Sequence, residues 1–142
     1  MTDQKETKET DIMGEGATPE PPEDFSGEAV AIPEEIYLEV GQGASKTEIR
    51  LKFQKMQLLV GRQPEDDEIG VDMNPYGAFE NGVSRRHAAF IRRTEGLFIE
   101  DLGSTNGTRI NGFTISANKA YRLRNGDEIE FGRLRTKIRM KE

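Results

Sequence analysis

A chain of 142 residues with a net charge of −6 has room for one domain and a tail. It has no cysteine and a single histidine, which excludes disulfides, thiol nucleophiles, zinc–thiolate sites and multi-histidine metal centres. No apolar run approaches the ~20 residues a bilayer span needs, and the N-terminus lacks the basic-then-apolar pattern of a secretory signal. The expectation is a cytoplasmic chain with no membrane partner.

The charge is unevenly placed. Residues 1–35 carry 11 Asp/Glu against 2 Lys, whereas residues 36–142 carry 15 Asp/Glu against 18 Lys/Arg. The first segment has four prolines, few apolar residues and no period of 2 or 3.6. Such a composition cannot offset the entropy of ordering, so residues 1–35 read as a disordered acidic tail. The apolar run Ala29-Val30-Ala31-Ile32 is a candidate to pack on the edge of the domain that follows.

From Ile36 the texture becomes that of strands. Ile36–Val40 ends at Gly41, and Glu48–Phe53 alternates with Ile49, Leu51 and Phe53 on one face. Leu58–Val60 leads to Gly61-Arg62, and Ile69 and Val71 bracket a short strand. Asp72–Val83 reads as a long loop. His87–Arg93 and Leu97–Asp101 follow, then Thr108–Ile110 and Phe113–Ile115 around the hairpin dipeptide Asn111-Gly112. Ala120–Leu123, Glu128–Phe131 and Leu134–Ile138 close the series. No stretch sustains a helical stripe. About ten short strands with regular turn signals predict an all-β fold, an antiparallel β-sandwich over residues 36–142. A sandwich gathers its loops at two ends, so loops distant in sequence can meet.

Three polar loops carry the chemistry: Gly61-Arg62, Ser84-Arg85-Arg86-His87, and Gly103-Ser104-Thr105-Asn106-Gly107-Thr108. Hydroxyls, an amide and arginines on a rigid scaffold are the makings of an anion site. With Leu102 before the third loop and Leu123 to Gly132 after it, these motifs resemble the forkhead-associated (FHA) domain, over roughly Ile36 to Met140. The likeness is to small bacterial FHA proteins with an acidic N-terminal extension.

The resemblance implies an FHA/SMAD-like sandwich that binds phosphothreonine peptides. It implies that Arg62 binds the phosphate, with Gly61 letting the backbone turn tightly before it. Ser84 then donates its hydroxyl to a phosphate oxygen, and Arg85 supplies a further donor. Thr105 lies beside the phosphate and the threonine methyl, and Asn106 holds the peptide main chain. His87, Gly103 and Gly107 brace the loops. The loops at Tyr76–Val83 and Ser104–Arg109 are candidates for reading the residue three places after the phosphothreonine. Family members with such tails include some that capture their own phosphothreonine, and Thr7 and Thr10 are the candidate phosphorylation sites here.

The expected function is therefore that of a monomeric signalling adaptor. Its partners would be phosphothreonine-containing proteins and a Ser/Thr protein kinase, and it would have no catalytic residues, metal or cofactor. The alternative is an FHA-fold module that binds its partner without phosphate. A nucleotide-using enzyme is disfavoured because the chain has neither GxxxxGK[ST] nor a βαβ pattern. Nucleic acid is disfavoured by the modest basic excess and scattered aromatics.

Overall fold

The computed structural model describes residues 35–41, 46–63 and 69–141. The tail, with Thr7, Thr10 and Ala29–Ile32, lies outside the described residues. Among the described residues are β1 (Glu35–Val40), β2 (Thr47–Arg50), β3 (Gln57–Gly61), β4 (Ile69–Asp72), β5 (Arg86–Arg93) and β6 (Gly96–Asp101). Then come β7 (Thr108–Ile110), β8 (Phe113–Thr114), β9 (Ala120–Arg122), β10 (Glu128–Phe131) and β11 (Leu134–Lys141). The one helical element among them is a 3-10 turn, Asn74–Tyr76, inside the long loop. No described helix is long and apolar enough to cross a membrane.

Two sheets form a β-sandwich. One has the order β9-β6-β5-β3-β4 and the other β2-β1-β11-β10-β7-β8. Pairing is antiparallel except between β3 and β4, which run parallel, Leu59 facing Ile69 and Gly61 facing Asp72. That pair departs from the expected antiparallel pattern, and side-chain alternation carries no information on strand direction. The strand expected over Glu48–Phe53 stops at Arg50. Arg50 pairs with Tyr37 and Leu51 N still donates to Ile36 O at 2.9 Å, but Leu51 to Phe53 lie outside any described strand.

Period-2 alternation decides which side chains enter the core. Ile36, Leu38 and Val40 of β1 point inward, as do Ile129 and Phe131 of β10 and Leu134 and Ile138 of β11. Phe131 is the central piece. Its ring meets Phe90 edge-on at 6.3 Å and His87 at 5.7 Å, the edge-to-face geometry that aromatic quadrupoles favour. The core thus reaches directly to the base of the polar loops. The outward face of the six-stranded sheet carries ion pairs such as Arg139–Glu39 at 3.0 Å and Arg109–Glu130 at 2.9 Å. In both pairs the arginine side chain is exposed, while that of Glu39 is buried and that of Glu130 half-buried.

Strand direction fixes which loops meet. The C-terminal ends of β1, β3, β6 and β10 and the N-terminal ends of β5, β7 and β11 lie together, because Gly61 pairs with Arg86, Ala88 with Asp101, Phe131 with Thr108 and Val40 with Thr136. All three polar loops therefore emerge from one end. Glu35 and Lys141, paired with one another, mark the opposite end.

Candidate functional site

The segment Gly82–His87 is the spine on which the site is assembled. Asn106 Nδ2 donates to Gly82 O at 3.0 Å. Arg62 Nε donates to Val83 O at 2.7 Å. The Ser84 hydroxyl oxygen accepts Thr105 N at 3.1 Å. Arg85 O accepts Arg62 N at 3.0 Å. Four consecutive residues thus each receive a bond from one of the other two loops.

This arrangement decides what each side chain still offers. With Nε held by Val83 O, both Nη groups of Arg62 remain to face a ligand, and a guanidinium so fixed can meet two anionic oxygens at once. Ser84 uses a lone pair to accept Thr105 N, which leaves its hydroxyl proton to donate. Arg85, the next residue, is exposed. Thr105 and Asn106 are exposed at the rim. The Asn106 amide, with one N–H on Gly82 O, still offers a carbonyl acceptor and a second N–H. The result is a cluster of donors with protein acceptors already engaged beneath them.

Gly61 has a reason other than the tight turn expected of it. Its φ is not left-handed, but a Cβ there would sit 1.8 Å from Arg85 O. The residue permits the close backbone approach that lets Arg62 N reach that carbonyl. Gly103 and Gly107 do have positive φ, 80° and 84°, the region where other residues are strained.

His87 lies at the bottom of the site, fully buried. Its Nδ1 accepts Ser84 N at 2.9 Å, and its Nε2 is 2.9 Å from Gly107 O. A backbone N–H can only donate, so Nδ1 is unprotonated, Nε2 carries the proton and the ring is neutral. Burial pushes its pKa down, against the smaller opposing effects of Gly107 O and the Asp101 charge.

Several contributors were not singled out from the sequence. Asp101 is buried. Its Oδ2 accepts Gly103 N at 3.0 Å and Ser104 N at 3.1 Å, and its Oδ1 accepts Ser104 Oγ at 2.6 Å and Thr108 Oγ1 at 2.7 Å. Burial alone would raise its pKa, but these hydrogen bonds together outweigh it and hold the carboxyl below its usual range. The spacing Asp-x-Gly-Ser is a legible signal for such a side-chain-closed turn. Arg133 donates through Nη2 to Glu80 O at 2.7 Å and through its backbone N to Asn81 O at 2.7 Å, pinning the long loop. Asn74 Nδ2 holds Arg62 O at 3.1 Å. Phe79, 71% exposed, lies with its ring 5.1 Å from the Arg62 guanidinium carbon. Nothing in the sequence pairs Phe79 or Arg133 with the site, because both contacts depend on how the long loop folds.

The molecule is a two-sheet sandwich that carries a loop-built cluster of hydrogen-bond donors at one end. The chain belongs to the FHA family, whose model, described as the FHA domain, matches residues 58–132.

Among curated relatives, protein FraH of Nostoc is 40% identical over 70 residues, covering 48% of this chain and 24% of that protein. An oxoglutarate dehydrogenase inhibitor of Corynebacterium glutamicum is 41% identical over 76 residues, covering 53% and 45%. FHA domain-containing protein FhaB of Mycobacterium tuberculosis is 32% identical over 103 residues, covering 72% and 59%. The chain therefore spans from 24% to 59% of the length of these relatives. Of solved structures, the MEK1 FHA domain in complex with a HOP1 phosphothreonine peptide matches with TM-score 0.56 at 25% identity, covering 80% of this chain and all of that one. Mycobacterium tuberculosis EmbR in complex with a low-affinity phosphopeptide matches with TM-score 0.56 at 25% identity, covering 75% and 24%.

Proposed function

We propose that residues 36–142 form a phosphothreonine-peptide-binding domain, and that the protein is a signalling adaptor without catalysis. The observation that carries this reading is that Arg62, bonded through Nε to Val83 O, and Ser84, whose oxygen accepts Thr105 N, lie together with donors their own bonds leave unused, next to the exposed Arg85. A phosphoryl group brings nearly two negative charges and three acceptor oxygens, which is the complement of that cluster. In this reading Arg62 clamps the phosphate, and Ser84 and Arg85 donate to its remaining oxygens. Thr105 packs beside the threonine methyl, and Asn106 holds the adjacent main chain. The solved FHA domain bound to a phosphothreonine peptide supports the ligand class. A binder rather than an enzyme is supported by His87, whose ring nitrogens are both engaged and buried, leaving no general base among the site residues.

Fluorescence anisotropy with a phosphothreonine peptide, its unphosphorylated twin and its phosphoserine twin tests the reading. The expected order is strong, absent and markedly weaker. Equal binding of the first two overturns it in favour of phosphate-independent recognition. Each charge-assisted hydrogen bond is worth about 1.5–3 kcal/mol, so Arg62→Ala, which removes two, is expected to weaken phosphopeptide binding by roughly 100-fold or more. Its circular dichroism spectrum should stay native, since only the Val83 O and Phe79 contacts of the side chain are lost.

The finer reading concerns the tail. We infer that a Ser/Thr kinase phosphorylates Thr7 or Thr10 and that the site then captures its own tail, excluding other partners. The acidic composition of residues 1–35 against the arginines of the loop end supports this.

A further inference from the structure

We propose that Phe79 determines specificity at the candidate site: it holds the Arg62 guanidinium in place and selects phosphothreonine peptides with an apolar or aromatic side chain beside the phosphothreonine. The inference rests on the phosphothreonine reading and deepens it.

Two large hydrophobic residues are prominently exposed among those described, Met56 at 58% and Phe79 at 71%. Met56 precedes β3 and lies at the end away from the polar loops, where its carbonyl accepts Arg92 N at 2.8 Å. Phe79 is at the site end. A solvent-facing aromatic leaves apolar surface in water, and at a recognition surface such a residue is a typical anchor for a partner.

The exposure of Phe79 does not come from a slack loop. Ala78 on one side is buried, and its carbonyl accepts Val83 N at 2.9 Å. Phe79 O accepts Gly82 N at 3.1 Å, Asn81 Nδ2 donates to Gly77 O at 2.8 Å, and Arg133 holds the carbonyls of Glu80 and Asn81. The backbone is fixed on both sides of a ring that is directed outward.

The ring lies 5.1 Å from the centre of the Arg62 guanidinium, within the range of a cation–π contact. With Nε on Val83 O, the guanidinium is then held by two independent contacts, and its Nη groups are pre-aimed. A peptide whose phosphate reaches those groups brings its neighbouring residues over the ring. An apolar neighbour would cover the ring and exclude water from above Arg62, strengthening the charged bonds. A small polar neighbour would leave the ring wet.

The test is an oriented phosphothreonine peptide library, followed by titration of matched peptides carrying Leu, Phe, Ser or Glu at the selected position. The wild-type chain is expected to prefer the apolar peptides by about tenfold over the Ser peptide. Phe79→Ser should lose that preference and bind every phosphopeptide several-fold more weakly. Phe79→Leu should keep the apolar preference but share the general weakening, because it retains surface and loses the π face. Phosphate-dependent binding in which Phe79→Ser keeps the wild-type preference overturns this inference alone, as does selection of Glu. Equal binding of phosphorylated and unphosphorylated libraries overturns this inference and the phosphothreonine reading together.

Discussion

Burial takes His87 out of water, and the lost hydration disfavours its charged form. An unfolded chain takes up a proton on this residue near 6.5, the ordinary value, whereas the folded chain resists it. The stability that His87 gives is therefore present in full above about pH 6.5. It is lost as pH falls towards the lower folded value. Urea midpoints followed from pH ~8 to ~5.5 should fall for the wild type and fall less for His87→Asn. A wild-type profile without that fall contradicts the assignment. Asp101 works in the same direction at lower pH, since its folded carboxyl is held below the ordinary 3.8. Asp101→Asn replaces an acceptor of four hydrogen bonds by an amide that turns donors on donors. We expect a loss of about 2–4 kcal/mol in chemical unfolding, with weaker phosphopeptide binding although Asp101 lies beneath the ligand-facing groups. At this scale the sequence placed Arg62, Ser84, Thr105 and Asn106 on polar loops, and the fold brings those loops together. Asp101 passed for a polar strand end, since its four bonds come from a loop whose closure had not been deduced.

The loops behave as a mutually supported set of elements. The β10–β11 turn approaches the long loop so closely that a Cβ on Gly132 would sit 2.6 Å from Asn81 O and 2.7 Å from Gly82 O, and its φ is 63°. Gly132→Ala should therefore cost about 1–3 kcal/mol in thermal unfolding. It should also reduce peptide affinity, since the displaced Gly82 O is the acceptor of Asn106. Unchanged affinity in a destabilised variant would separate the turn from the site. Strand positions were largely legible because alternation and turn dipeptides are local signals. Asn111-Gly112 takes the two positive φ angles, 50° and 87°, that the dipeptide signals. The parallel β3–β4 pair was not legible, since alternation gives the faces of a strand and not the direction of its partner.

Over the whole molecule, the two sheets turn loops that are up to 46 residues apart, from Arg62 to Thr108, into one surface. Tail capture is a claim at this scale. Thr10 precedes Glu35 by 25 residues, and the covalent reach of that many residues, at most about 80 Å, exceeds the ~26 Å of the eight-residue β11. Phosphorylating the tail should shift the NMR resonances of Ser84, Arg85 and Asn106 and depress binding of added phosphopeptide. Unmoved resonances with undiminished binding would end that proposal. The pairing of Glu35 with Lys141 at the end away from the loops has a consequence of its own. The described chain starts and finishes at the foot of the sandwich, so the candidate recognition surface is a tip approached end-on. A fusion tag or a surface anchor attached at Lys141 is therefore joined at the end away from the polar loops, and immobilising the protein there should leave the candidate site open to a peptide in solution.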